Sequence, residues 1–323
     1  MSDEISLAEL GIEWTSSPKC WHTIPKKLLP SCDIYGHVRD ASGLSLFRLK
    51  ATGPLGEGTF GQVDAFICDT GDNQTKKHVA VKRPKHPNLN LLTEALFQWK
   101  LHNDLQKHGL SFCIPKVDRI FTYKTTNDVW FSMNAYEPTL LSSWCVTHLK
   151  RDGKTFCLLI LQISLILQII EDILKVDHRD LKVNNMLVID EPKEILFSVG
   201  SVKKKITFPF YVVFIDFGFA CSNTLDMRND GLPPLDFCPK EGRDMFQTLV
   251  SIWRIDALRS VLEDVWGNWF RAKINSPGKY VGLTESAKDL TWMYAVTENR
   301  EFRAPLCAPG IIIKDCLRFL EQC

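Results

Sequence analysis

The stretch that decides the fold is His178-Arg179-Asp180-Leu181-Lys182-Val183-Asn184-Asn185. Apolar sequence stands on both sides of it: a run from Phe156 to Ile170 precedes it, and Met186 to Ile189 follows directly. The first run has the length and composition of a buried helix, and the second is typical of a core strand. We therefore expect the octapeptide between them to be a polar loop held in place by two core elements.

The polar side chains of this loop are suited to one kind of chemistry. Asp180 can accept the proton of a hydroxyl group, and Lys182 can neutralise a phosphoryl group during its transfer. Asn185, five residues beyond Asp180, can supply an oxygen ligand to Mg²⁺, and Asn184 is the less suitable ligand. The loop thus combines a candidate base, a candidate cation and a candidate metal ligand.

A second acidic motif lies thirty-one residues after Asn185. Asp216-Phe217-Gly218 follows the apolar segment from Tyr211 to Ile215, which predicts a strand ending at the aspartate. By itself such a tripeptide is a common turn. In this order and spacing after the polar loop, Asp216 is a second candidate ligand for Mg²⁺.

A glycine-rich turn, Gly56-Glu57-Gly58-Thr59-Phe60-Gly61-Gln62-Val63, lies between two strand-like segments. Glycines permit close approach of the backbone, so such a turn can lie over a polyphosphate and offer it amide donors. Taken alone, the motif is more typical of a flexible hairpin than of a phosphate-binding turn. Lys82 follows on a predicted strand, and Glu94 lies on the next predicted helix, so an ion pair between them would hold the lysine against phosphates.

Composition excludes several classes of protein. The 323 residues include 45% hydrophobic and 24% charged side chains, as in ordinary globular domains. The 39 basic and 38 acidic side chains nearly cancel, so nucleic acid is not indicated as a partner. The 11 scattered cysteines and the acidic start predict reduced thiols in an intracellular protein, with cytoplasm and nucleus not distinguishable. The most apolar run is too short and too polar for a membrane span.

Periodicity predicts a β-rich first part and a helical second part. Residues 49–81 read as an antiparallel sheet, residues 91–105 as a helix, and residues 120–123 and 129–133 as further strands. Glu137-Pro138 marks a break before a long apolar helix near 155–175. The insert at 190–210, with Lys203-Lys204-Lys205, reads as a solvated loop, and residues 1–45 read as an irregular extension.

In this order, the motifs resemble those of eukaryotic-type protein kinases, and the resemblance covers about residues 49–256. It implies an α+β, bilobal protein-kinase-like fold, with a small β-rich N-terminal lobe at about 46–136 and a larger, mainly helical C-terminal lobe at about 137–323. The extension, 1–45, would precede this kinase domain. ATP would lie in the cleft between the lobes with Mg²⁺, or alternatively Mn²⁺, as the metal.

The resemblance also assigns roles to single residues. Asp180, Lys182 and Lys82 would be catalytic, and Asn185 and Asp216 would bind the metal. Nucleotide-binding positions would be Gly56, Gly58, Gly61, Val63, Lys82, Glu94, Asn134 and Tyr136, with Met133 at the rear of the cleft.

Further features of the resemblance concern specificity and regulation. Lys182 resembles the serine/threonine branch, which implies protein substrates with Ser or Thr hydroxyls. His178 would pack the loop, and Arg179 resembles an arginine that pairs with a phosphorylated segment, for which Ser222 and Thr224 are the nearest candidate sites.

The chain also departs from the family pattern, because no Ala-Pro-Glu motif follows Asp216. Haspin-like kinases and kinases of large DNA viruses share this loss, so the chain resembles a divergent member. Two alternatives therefore stay open: a pseudokinase scaffold, and a small-molecule kinase on the same fold.

Overall fold

Strands dominate the first part of the chain and helices the second in the computed structural model, which describes residues 4–58, 61–71, 76–86, 89–136, 139–199, 202–222, 239–277, 296 and 302–322. The fold is therefore α+β, as predicted. The helices are α1 (Leu92–Gln106), α2 (Leu141–His148), α3 (Lys154–Gln168), α4 (Arg243–Trp253), α5 (Asp256–Ile274) and α6 (Pro309–Leu320).

The strands form one large sheet and four small ones. They are β1 (Ile5–Ser6), β2 (Thr15–Ser16), β3 (Ser31–Cys32), β4 (His37–Arg39), β5 (Ser45–Glu57), β6 (Gly61–Asp69), β7 (Lys77–Pro84), β8 (Val117–Tyr123), β9 (Asp128–Asn134), β10 (Thr139–Leu140), β11 (Val176–Asp177), β12 (Met186–Ile189), β13 (Lys193–Val199), β14 (Val202–Phe208), β15 (Tyr211–Phe214) and β16 (Cys221–Ser222). The small sheets are β1-β2, β10-β12-β15, β11-β16 and β13-β14.

The large sheet is a closed barrel of seven strands in the order β3-β4-β5-β6-β7-β9-β8. Its pairs are antiparallel except the closing pair, β3 with β8, which is parallel. The predicted antiparallel sheet at 49–81 is thereby confirmed, but the closed barrel corrects the lobe implied by the resemblance, because it is not the usual form of a kinase N-terminal lobe. Closure leaves no strand edge of the barrel unpaired along the ring.

The closing strands come from the predicted extension. β3 and β4 lie within residues 1–45, so the barrel crosses the boundary that the sequence placed at 45/46. The barrel interior is a separate apolar core, formed by Cys32, Val38, Phe47, Leu49, Val79, Val81 and Phe121. The extension is thus part of a folded core rather than an irregular appendage.

The predicted helices and strands around the polar loop are confirmed. α1 packs on the other side of the sheet from the barrel interior, in the main core of the molecule. α3 continues as a π-helical turn at Ile169–Ile173. The helix from Lys154 to Ile173 is long and apolar enough to cross a membrane, yet 72% of its most apolar window is buried inside the protein. A core helix of a soluble fold passes the same test, so no membrane span is indicated.

Three features differ from the sequence predictions. The sequence pattern did not predict α2. The predicted break at Glu137-Pro138 lies outside the described residues. The insert at 190–210 is a regular hairpin, β13-β14, rather than a loop, and Lys205 pairs with Glu194 across it at 2.8 Å. Cys221 is disulfide-bonded, which corrects the prediction of reduced thiols for this residue.

Phe121→Ala tests whether the barrel interior contributes to stability. Phe121 is fully buried and lies edge-on to Phe47, with 6.3 Å between ring centroids. Its truncation leaves a cavity, and we expect the free energy of unfolding to fall by about 3–5 kcal/mol in urea denaturation. Leu44→Ala, at a residue that is 65% exposed, should change it by no more than about 0.5 kcal/mol. Equal, small effects of both variants would contradict a packed barrel interior.

Candidate active site

A cleft of about 730 Å³ lies between the barrel and the helical part of the chain. Its walls contain ten of the twelve predicted site residues. The lining residues are Pro54, Leu55, Gly56, Glu57, Gly58, Gly61, Val63, Ala80, Lys82, Glu94, Gln98, Pro115, Met133, Asn134, Tyr136, Thr139, Leu140, Ser143, Asn184, Asn185, Leu187, Ile215 and Asp216.

The two predicted site residues that do not line the cleft are Asp180 and Lys182. Those two belong to the loop 178–185, which reaches the cleft through Asn184 and Asn185. The structure therefore gathers residues from three separate parts of the sequence around one cavity.

The centre of the cleft is a buried group of three charged side chains. Lys82 Nζ lies 2.5 Å from Glu94 Oε1 and 2.8 Å from Asp216 Oδ1. Burial by itself lowers the pKa of Lys82, but the two carboxylates outweigh it and raise the pKa. Burial acts to raise the pKa of Asp216, and the lysine more than offsets this and lowers it. The predicted Lys82–Glu94 ion pair is thus present, and both Lys82 and Asp216 are charged at neutral pH.

Strand alternation explains why Lys82 faces the cleft. Val79 and Val81 of β7 point into the barrel interior, so Ala80 and Lys82 point to the opposite side of the sheet. Glu94 lies in the first turn of α1, which packs on that same side. The ion pair therefore joins the barrel to the helix.

The loop 178–185 places its three polar side chains together. Lys182 Nζ lies 2.8 Å from Asp180 Oδ2 and 3.0 Å from Oδ1. Asn185 Nδ2 donates to Oδ2 of Asp180 and to its main-chain oxygen, both at 2.8 Å. Burial raises the pKa of Asp180, and the lysine opposes this shift. Asn184 is exposed on the cleft wall and makes none of these contacts.

One carboxylate fixes the start of this loop. Asp244, near the N-terminal end of α4, accepts hydrogen bonds from the main-chain N–H groups of His178 at 2.7 Å and Arg179 at 2.8 Å. Arg179 has a left-handed backbone, with φ of 68°, which a non-glycine residue adopts only at a cost. The two hydrogen bonds hold the loop in that conformation.

Three further side chains of α4 hold the rest of the loop backbone. Gln247 Nε2 donates to the carbonyl of Arg179 at 2.8 Å, and Thr248 Oγ1 donates to that of Leu181 at 3.0 Å. Ser251 Oγ accepts from the N–H of Val183 at 3.2 Å. Sequence reasoning missed these contacts. The sequence pattern that could have indicated them is the spacing of positions 244, 247, 248 and 251, because it places four polar side chains on one face of a helix.

The Asp-Phe-Gly turn is fixed from two sides. Asp216 has a left-handed backbone, with φ of 65°. The ring of Phe217 lies 4.9 Å from that of His178 and 6.3 Å from that of Phe97 on α1. His178 Nε2 donates to the carbonyl of Ile215 at 3.0 Å. His178 thus packs against the turn and hydrogen-bonds to the residue before it. The turn therefore contacts both the loop 178–185 and α1.

The glycine-rich turn lies directly over this centre. The N–H of Gly58 donates to the carbonyl of Gly61 at 2.8 Å. A Cβ on Gly58 would meet Asp216 Oδ2 at 3.0 Å, and a Cβ on Gly61 would meet both the Arg83 carbonyl and Lys82 Cε at 2.8 Å. A Cβ on Gly61 would therefore force main-chain atoms to shift, whereas a Cβ on Gly58 would press only on the end of the Asp216 side chain. Gly56 and Val63 line the cleft beside them.

Met133, Asn134 and Tyr136 also line the cleft. Burial raises the pKa of Tyr136 to about 12. Gln98, which sequence reasoning missed, donates to the carbonyl of Pro115 at 2.8 Å and lies 3.4 Å from Met133 Sδ. A buried polar residue within an apolar helix pattern is the signal that marks it.

A second acidic group lies behind the loop. Carboxylate oxygens of Glu171, Asp177 and Asp244 all lie within 4.8 Å of one another and are buried. Arg243 Nη2 is 2.6 Å from Asp177 Oδ2, so the group contains a cation as well as acids. Burial raises the pKa of Asp177 to about 6 and that of Glu171 well above its usual value.

The predicted phosphorylation sites differ in what the structure describes. Ser222 is buried, and its hydroxyl donates to the carbonyl of Lys175 at 3.0 Å, which disfavours it as a modified residue. Thr224 lies outside the described residues. Arg179, predicted to pair with a phosphorylated segment, is buried.

Comparisons with known proteins include a weak likeness to a solved structure. No protein-family model matches the chain, and no curated protein matches it. Among solved structures it resembles a kinase domain from Plasmodium, with 20% sequence identity, 66% of this chain and 64% of that chain covered, and a TM-score of 0.38. The chain thus spans less than two thirds of that solved chain. A TM-score this low does not assign a function, which is therefore inferred from the cleft.

Gly61→Ala tests the close approach of the glycine-rich turn to Lys82. The added methyl group must displace main-chain atoms of Arg83, and we expect a loss of about 1–3 kcal/mol in the free energy of unfolding. Gly53→Ala is the matched control, because a Cβ there meets nothing within 4 Å. Urea denaturation of both variants measures the difference, and an unaffected Gly61→Ala variant would contradict the close approach.

Glu171→Gln tests the buried acidic group through pH dependence. Because burial raises the pKa of Glu171 above its usual 4.5, the folded state holds its proton more tightly than the unfolded state. Its contribution to stability is present below pH 4.5 and is lost as the pH rises through the folded pKa, by at most about 1.4 kcal/mol per pH unit.

The glutamine variant lacks this titration, so its stability relative to the parent protein should increase between pH 5 and pH 8, on the order of that slope. Chemical denaturation across this range measures the difference. Asp264→Asn, at an exposed acid of α5, is the control and should show no such trend. A constant difference for Glu171→Gln would show that this carboxyl titrates normally.

Proposed function

We propose that this chain is an ATP-dependent protein kinase that transfers the γ-phosphoryl group to serine or threonine hydroxyls. The observation that carries the proposal is the cleft itself. It unites the Lys82–Glu94 ion pair, the Asp180–Lys182–Asn185 loop and Asp216 beneath a glycine-rich turn. These are the parts that phosphoryl transfer requires: a phosphate cradle, a cation, metal ligands and a base.

The glycine-rich turn and Lys82 would hold the phosphates of ATP. The turn lies close over Asp216, and the ammonium group of Lys82 is kept charged by two carboxylates. A buried cation that is fixed by Glu94 interacts with phosphate oxygens without having to reorganise. The adenine would occupy the apolar rear of the cleft, near Met133, Asn134 and Tyr136.

The residues present fit a magnesium ion. Because Asn185 donates its Nδ2 to Asp180, the atom left for a cation is the oxygen Oδ1. Asp216 uses Oδ1 for Lys82, and its Oδ2 lies beneath the glycine-rich turn. Amide and carboxylate oxygens are the ligands that Mg²⁺ prefers. When bound, the ion would neutralise negative charge on the phosphates of ATP.

Asp180 would orient the substrate hydroxyl and accept its proton. Its carboxylate is held by Lys182 and Asn185, and its pKa is raised by burial, which brings it closer to that of an effective base. Lys182 would also stabilise negative charge on the transferred group. The choice of Ser or Thr rests on the resemblance of Lys182 to the serine/threonine branch.

Asp180→Asn tests the proposed base. Phosphoryl transfer from γ-labelled ATP to mixed protein substrates with Mg²⁺ should fall by about 10²–10⁴-fold, since general-base catalysis is lost. ATP affinity, measured by calorimetric titration, should stay close to that of the parent protein. Asp216→Asn should weaken ATP binding in the presence of Mg²⁺, and Asp172→Asn is the matched control with unchanged activity.

Phosphoamino-acid analysis of the labelled product decides the substrate class. Phosphoserine or phosphothreonine that disappears with Asp180→Asn supports the proposal. ATP binding without transfer to protein would favour a pseudokinase or a small-molecule kinase. Full activity of the Asp180→Asn variant would remove the assigned base.

A further inference from the structure

Helix α1 is buried on the side that faces away from the cleft. At about 100° per residue, Leu92, Leu96 and Trp99 lie on the side opposite Glu94. All three are buried, with at most 4% of each residue exposed. A helix at the surface of a domain normally has a polar outer side. Another part of the chain must therefore cover α1 from outside.

The covering segment is the N-terminal extension before β3, residues 4–30. Its apolar side chains belong to the same buried core as those of α1. A 3₁₀-helix at Pro18–Thr23 contacts α1, and another at Ala8–Leu10 contacts β8. The buried residues of the segment are Leu7, Leu10, Ile12, Trp21, Ile24 and Leu29.

A directed polar contact joins this segment to α1. The indole Nε1 of Trp99 donates to Glu9 Oε1 at 2.6 Å. The main chain of Glu9 is fixed in turn, because Arg119 Nη1 on β8 donates to its carbonyl at 2.7 Å. Trp99 lies five residues after Glu94, so the helix is held at one side by Glu9 and at the other by Lys82.

We propose that residues 4–30 position α1 for phosphoryl transfer, and that Glu9 is a positioning residue that acts through Trp99 on the Glu94–Lys82 pair. This inference rests on the proposed function. Helices at the subunit interfaces of switching proteins shift by about 1–2 Å, and a shift of that size in α1 would separate the 2.5 Å ion pair.

Two variants of Glu9 and one matched control test the inference in the full chain. Glu9→Ala removes the acceptor for Trp99, whereas Glu9→Gln keeps an oxygen there. Glu13→Ala is the control, because Glu13 is an exposed acid of the same segment. We expect kcat to fall about tenfold in Glu9→Ala. A fall of about that size corresponds to a roughly tenfold drop in the fraction of molecules in which α1 keeps Glu94 paired with Lys82. Glu9→Gln and Glu13→Ala should stay within about twofold.

Two readouts separate positioning from general destabilisation. In a Glu94→Gln background, Glu9→Ala should cause no further loss of kcat, because both act through one contact. Amide hydrogen exchange should increase in residues 92–106 of Glu9→Ala and stay unchanged in residues 243–253. The exchange measurement does not require activity, so it judges the positioning of α1 even if the chain transfers no phosphate.

Each outcome has a definite meaning. Faster exchange in α1, lower kcat and no added effect in the Glu94→Gln background support the inference. Unchanged exchange in α1 overturns it, whether or not the parent protein is active. A loss of kcat that multiplies with that of Glu94→Gln overturns it as well, because Glu9 would then act by another route. An inactive parent protein with faster exchange refutes the proposed function while the positioning of α1 stands.

Discussion

The interaction on which the site depends is the pairing of one buried ammonium group with two carboxylates. Lys82 comes from a barrel strand, Glu94 from α1 and Asp216 from the turn after β15, so three elements meet at one nitrogen. Taking these charges out of water is costly, and buried ion pairs often add little to stability. The arrangement is better understood as a functional one, which the surrounding fold must hold in place. Each of the three elements accordingly has its own support.

The helical part supports the loop through hydrogen bonds rather than through apolar contact alone. α4 offers one polar face to the loop backbone, and its Asp244 accepts two main-chain N–H groups at once. A buried hydrogen-bond network of this kind favours a single conformation, because displacement of the loop would break these bonds inside the protein. This explains how Arg179 keeps a left-handed backbone, and why Asp180 and Asn185 meet at hydrogen-bonding distance.

The barrel part is supported by the residues that precede it. β3 and β4 close the barrel and give it an apolar interior, while residues 4–30 cover the outer side of α1. The sheet and the helix that carry Lys82 and Glu94 are therefore both enclosed by the N-terminal extension. Enclosure on two sides restricts small shifts of packed elements, since close-packed interiors do not deform continuously.

The sequence by itself determined the local elements and the inventory of the site. Apolar runs located α1, α3 and the strands around the loop, because hydrophobic periodicity reports which side of an element is buried. Motif order predicted that Lys82, Asp180, Asn185 and Asp216 belong to one site. Only the tertiary structure decided that the barrel closes through β3 and β4, that α4 holds the loop, and that Glu9 meets Trp99. These contacts join residues far apart in the chain, and pairing between distant segments depends on packing that no local pattern records.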